Sequence, residues 1–137
     1  MPNEIVTAPE LAPPVGYAHA VVAGPGRLVH LGGQTALDAE GKIVGEDVPA
    51  QLDVVAANVV AALRAAGGTP EDIVSVQIFV TDIAAYKAQL PALGEVWKKH
   101  FGRHYPASGL FGVTGLFDEE ALIELMVVAV VGPEAAS

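Results

Sequence analysis

Ten residues near the C-terminus, Leu122–Val131 (LIELMVVAVV), restrict the folds open to this chain more than any other stretch. The run carries one charge, Glu124, and β-branched residues crowd its later positions. That composition over that length predicts a strand buried on both faces. Alternation puts Leu122, Glu124, Met126, Val128 and Val130 on one face and Ile123, Leu125, Val127, Ala129 and Val131 on the other. The carboxylate then shares a face with apolar side chains only, which is costly unless something pairs with it. A carboxyl group stripped of water holds its proton more tightly than a free one, which suits exchange with water or a substrate near neutral pH. Two readings stay open on the pattern. Glu124 is a proton-handling acid, or it sits at the strand mouth, solvated or paired with a lysine or arginine.

A strand buried on both sides needs a core around it. At 137 residues and 52% hydrophobic content the chain makes one domain with an ample core. No apolar run reaches the roughly 20 residues of a membrane-spanning helix, and the start, MPNEIVTAPELAPP, has neither a basic opening nor a long apolar stretch. A cytoplasmic protein with no membrane partner is expected. The absence of cysteine excludes disulfides, zinc–cysteine sites and thiol nucleophiles. A net charge of −9 with seven Lys+Arg argues against nucleic acid as a partner, because binding a phosphate backbone needs a basic surface. It also slows an anionic substrate unless a local cation offsets it.

Residues 1–14 hold four of the ten prolines and read as a leader laid on the surface or disordered, with the domain at 15–132 and a tail at 133–137. In Gly16–Ala23, Tyr17, His19 and Val21 alternate with alanine and valine, and Gly24-Pro25-Gly26 forces a turn into Arg27–Gly33. An antiparallel hairpin is expected, with Tyr17 and His19 on one face where they border a pocket or a core edge. Gly32 and Gly33 mark a bulge or a close approach of ligand or backbone. Asp47-Val48-Pro49 starts a helix and Gly67-Gly68 stops it, with Leu52, Val55, Ala56, Val59, Leu63 and Ala66 on one face. Gln51 and Asn58, at its border, are expected to be solvated or to cap the sheet. Ile73–Thr81 alternates as a strand. Asp82 caps a short turn at 83–88, and Pro91 confines the next helix to about 91–101, with Trp97 in the core. Pro106 opens a strand at Ala107–Thr114, joined by a turn to the strand of Glu124.

This order is α+β: a mainly antiparallel sheet with two helices on one face. The other face keeps more apolar surface than a soluble monomer tolerates, so a homo-oligomer is expected. His19, His30, His100 and His104 show no metal-binding spacing, and no serine sits in a nucleophile elbow. No metal or cofactor is expected.

The segments GYAHAVV, LGGQTALDAEGKIVG, the helix with Gln51, Asn58, Leu63 and Ala66-Gly67, DIVSVQIFVTD, and YPASGLFGVTGLFDEEALIEL ahead of the apolar strand occur in an order and spacing that is specific. Over nearly all of Val15–Val131 the chain resembles the reactive-intermediate deaminase family, RidA/YjgF. The resemblance implies a chorismate-mutase-like single domain and a barrel-like homotrimer with three pockets between subunits. In deaminating members such a pocket binds small 2-imino or enamine acids, and water adds to the C=N carbon to release ammonia. The matched positions are Tyr17, Gly33 with Gln34 at the glycine-glutamine step, and Glu124 as the water-orienting acid. His19 lies beside Tyr17. Where those members carry an arginine that clamps the substrate carboxylate, this chain has Ser108, which cannot replace a bidentate cation. Leu110 and Gly33 border the place of the missing guanidinium, the family's pocket asparagine has no counterpart around Ala88–Leu93, and Arg103 is the nearby cation in sequence. The resulting expectation is hydrolysis of an imine, enamine or related C–N bond. The alternative is a non-catalytic ligand-binding or regulatory trimer that has lost deaminase activity.

Overall fold

The computed structural model describes residues 3–132, so Met1, Pro2 and the expected tail at 133–137 lie outside the described residues. The main sheet has four strands: β3 (Arg27–His30), β4 (Ile73–Val80), β5 (Ala107–Gly112) and β6 (Ile123–Val131), in the order β3-β6-β4-β5. β6 pairs antiparallel with β3 and β4, while β4 and β5 run parallel. The Glu124 strand is thus central, and the turn before it leads past β4 rather than into a hairpin with β5.

Helix α1 (Val48–Ala65) forms where its capping residues dictate. The Asp47 carboxylate accepts from the Ala50 N–H at 2.9 Å, Pro49 lies in the first turn, and Gly67 ends the helix at φ 86°. Its buried stripe, Leu52, Val55, Ala56, Val59 and Leu63, packs on Ile123, Leu125 and Val127 of β6 in one core. By length and composition alone α1 passes as a membrane span, yet both its stripe and its caps are used within the domain. The short helix α2 (Ile83–Lys87), capped by Asp82, leads into α3 (Leu90–Phe101), whose first turn holds Pro91. Two long helices therefore cover one face of the sheet, as expected. The other face carries Leu28, Phe111 and Met126, all more than 40% exposed.

Two local expectations fail. Tyr17 and His19 lie in irregular backbone, and the short strand β2 (Ala20–Val22) pairs with β1 (Glu4–Val6) instead of forming a hairpin with β3. The reason is a competing partner: the leader is laid on the surface, but it supplies an edge that captures β2, while β3 pairs with β6. Gln51 is not solvated. It is 1% exposed and its side chain caps the backbone just ahead of β6, at Glu120 and Leu122.

Candidate functional site at the glycine bulge and the Ser108 cavity

On β6, Ile123, Leu125, Val127, Ala129 and Val131 are buried toward the helices, which turns Glu124 and Met126 to the bare face. Glu124 stands opposite Phe79 of β4, and Phe79 stacks on Phe111 at 5.6 Å. The expected burial on both sides is therefore absent in a single chain. Glu124 is half-buried, and its carboxylate makes no hydrogen bond or ion pair among the described residues, so none of them is the lysine or arginine partner.

What lies beside Glu124 is the glycine pair. His30 is opposite Val128 and Gln34 is opposite Leu125, so four steps along one strand match three along the other. That is a bulge at Gly32–Gly33. Gln34 closes it with backbone bonds to Leu125 of 2.9 and 3.0 Å, and its side-chain amide donates to the Gly32 carbonyl at 3.1 Å. A Cβ on Gly33 would collide with Oε2 of Glu124, so the carboxylate occupies the volume that a side chain there would take.

Helix α1 holds both walls of this arrangement. The Gln51 amide donates to the carbonyls of Glu120 (2.9 Å) and Gly45 (3.1 Å), and its Oε1 accepts from the Leu122 N–H at 2.8 Å. Asn58 donates to the carbonyls of Thr35 (3.2 Å) and Leu37 (3.0 Å). One residue fixes the approach to Glu124 and the other fixes the segment leaving Gly33-Gln34.

Ser108 and Leu110 belong elsewhere. They pair with Val76 and Ile78, whose side chains face the helices, so they lie on the face of the sheet opposite Glu124. Ser108 opens onto a cavity of about 140 Å³ between β5 and α3, walled by Leu52, Tyr86, Leu93, Gly94 and Trp97. A wider hollow of about 320 Å³, which includes Tyr17 and Leu110, shares Gly16, Ile78, Tyr86 and Ser108 with it. The Ser108 hydroxyl has no hydrogen-bond partner among the described residues. Burial pushes the Tyr86 phenol above its ordinary range, keeping it a proton donor. His19 is taken up by the leader: the Ala8 N–H donates to its Nδ1 at 3.0 Å and its Nε2 meets the Ala12 carbonyl at 2.8 Å. Arg103 is exposed on the turn between α3 and β5 and lines neither hollow.

Tyr86 carries no sequence pattern that marks it as a cavity wall, and the apolar stripe places Trp97 in the core. Trp97 packs edge-on against Phe101 at 4.5 Å and donates Nε1–H to the His104 carbonyl at 3.0 Å, but it is also a cavity wall. The available signal was Gly94, a glycine inside an otherwise apolar helix stripe. Away from both hollows, Asp53 on α1 holds His100 (2.7 Å) and Lys99 (2.9 Å) of α3, and these bonds, that to His100 first, keep its carboxyl below the usual carboxylate range.

The sheet, the two helices on one side and the acid over a glycine bulge place this protein in the chorismate-mutase-like α+β class. The Endoribonuclease L-PSP family model matches residues 7–131, and the chain belongs to that family, the RidA/YjgF proteins. It is 33% identical over 130 residues to the 3-aminoacrylate deaminase RutC of Acinetobacter baylyi, covering 94% of this chain and 98% of the relative. It is 27% identical over 132 residues to a 2-iminobutanoate/2-iminopropanoate deaminase of Dermatophagoides farinae, covering 95% and 98%. Among solved structures, the Rid family protein YyfB of Yersinia pestis superimposes with a TM-score of 0.86 at 33% identity, over 96% of this chain and 100% of that one.

Proposed function

We propose that this protein is a cytoplasmic homotrimer that hydrolyses the C=N bond of a small imine or enamine at a pocket between subunits, without metal or cofactor. The observation that carries the reading is the Glu124 carboxylate, without a partner among the described residues and seated over the Gly33 bulge on an apolar face that a second copy would cover. The deaminase names of two relatives support it. Ser108 and Glu124 lie on opposite faces of one sheet, so a single pocket holding both requires Ser108 of one protomer and Glu124 of the next. Covering the bare face would exclude bulk water from around Glu124 and leave its carboxylate facing the substrate and the attacking water. It accepts a proton from water as the water oxygen bonds to the C=N carbon; an enamine first tautomerises to the imine. Glu124 passes that proton to the nitrogen, giving a carbinolamine; the hydroxyl proton then moves to the nitrogen as the C–N bond breaks and the C=O bond forms, and a carbonyl compound and ammonia leave. Tyr17 and Ser108 hydrogen-bond the substrate, with Gly33, Gln34 and Leu110 shaping the opening. The family's descriptive name points to RNA, but the net charge of −9 leaves little surface to hold a phosphate backbone.

The test is Glu124→Gln, which keeps shape and removes basicity. Ammonia release from a small imine or enamine, 2-imino acids being expected to turn over only slowly, should vanish while light scattering still gives three chain masses. Full turnover in that variant, or a stable wild-type monomer, sinks the proposal. Ser108 in place of the arginine favours a second reading, a ligand-binding trimer without turnover. In that case Glu124→Gln raises the melting temperature with no activity to lose, since an unpaired buried charge has been neutralised.

A further inference from the structure

The walls of the Ser108 cavity bear on which ligand enters. Among the described residues neither hollow is lined by a charged side chain, and the polar groups they share are the Ser108 hydroxyl and the Tyr86 phenol. An anionic ligand would lose its hydration there with no cation among the described residues of this wall to meet it, and the Glu124 carboxylate of a second copy would repel it. The inner volume, about 140 Å³, matches that of an apolar cavity known to accept a benzene-sized ring, about 150 Å³. Gly94 adds an independent sign. It sits inside α3, where glycine is less favourable than alanine, yet a Cβ there would meet nothing within 4 Å. Helix stability and packing both allow a larger residue, and at this exposed position glycine keeps the mouth of the cavity that Trp97 also lines open.

We infer that this site takes an uncharged ligand, with a ring-sized apolar body between Trp97, Tyr86 and Leu93 and a neutral polar head on the Ser108 hydroxyl. Resting on the reading above, this makes the substrate a neutral imine or enamine with an aromatic or branched apolar substituent, and not a 2-imino acid. The body fills the inner cavity and the head points through the shared Gly16–Ser108 opening toward the wider hollow.

Trp97 is the chain's single tryptophan, so its fluorescence reports the cavity directly. The probes are benzamide and benzoate, alike in shape and differing in charge. Benzamide should give a saturable change in Trp97 emission, with benzoate at least tenfold weaker. Ser108→Arg should reverse that order. Gly94→Leu should abolish the benzamide response without lowering the melting temperature, and Gly94→Ala should weaken it. Benzoate binding as tightly as benzamide to the unmodified protein, no saturable response to benzamide, or a response untouched by Gly94→Leu would each overturn the inference. Ammonia release is measured separately. Benzamide binding without turnover of any imine removes the hydrolase reading and leaves the ligand class standing, whereas rapid turnover of 2-imino acids with tight benzoate binding does the reverse.

Discussion

Replacing Gly33 by alanine separates the position of the Glu124 carboxylate from the stability of the fold. The new methyl would overlap Oε2 and lie 3.0 Å from Cδ, where ordinary carbon contacts are about 3.5–4.0 Å. The carboxyl group must retreat by roughly 0.5–1 Å at Cδ and further at its oxygens. The Glu124 side chain is free to do so, because it is half-buried and its carboxylate has no bonding partner among the described residues. Holding its torsions off their preferred values costs about 0.5–1.5 kcal/mol. Gly33 does not have a positive φ, so alanine also narrows the unfolded ensemble and returns about 0.4–1 kcal/mol. The net change in stability stays within about 1 kcal/mol. Catalysis is less forgiving, since a displacement near 1 Å costs on the order of 10²-fold in rate. Gly26→Ala is the contrasting control: its Cβ strikes the backbone carbonyl of Val131 in the central strand, which cannot swing aside, so that variant melts earlier. The assay is kcat/KM for ammonia release beside a thermal melt. Gly33→Ala with full activity and an unchanged melt would refute the idea that the carboxylate works from its place over the bulge.

Gln51→Leu strands the Leu122 N–H and the Glu120 carbonyl, at about 1–3 kcal/mol for each group left unsatisfied, and a urea midpoint equal to the parent's would show that the clamp is dispensable. The Asp53 carboxyl is held below its unfolded value, so its bonds to His100 and Lys99 stabilise the fold above that value and are lost as pH falls through the lowered one. With the carboxylate 41% exposed, the effect is at most about 1 kcal/mol, and Asp53→Asn should narrow the difference between melts at neutral and acid pH; an unaltered difference contradicts it. His19→Ala releases both backbone contacts that pin the leader, so amide exchange over Glu4–Val6 should quicken while β6 stays protected, and unchanged exchange in β1 would deny His19 that role.

Much of the fold was legible in the residues because it is set by local periodicity. The Asp47 cap, the apolar stripe and Gly67 delimit α1 without reference to anything distant, and the alternation of Ile73–Val80 and Ile123–Val131 assigns each face of β4 and β6. Glu124 and the Gly32-Gly33 bulge stood out for the same reason, as breaks in a local pattern. Strand partners did not. β2 has equal chemical reason to pair with β1 or β3, and the choice falls on which edge is left once β6 has taken β3. Gln51 reads as a helix-border polar residue until the turn at Glu120–Leu122, some seventy residues away, brings two unsatisfied backbone groups to it. The sequence by itself thus determined helices α1 and α3, the alternation of strands β4 and β6 and the identity of the unusual acid, all properties of neighbouring residues. Only the tertiary structure decided that Ser108 and Glu124 occupy opposite faces of one sheet and that α3 leaves a cavity beside Ser108, because both depend on strand order and on volumes that distant side chains leave unfilled.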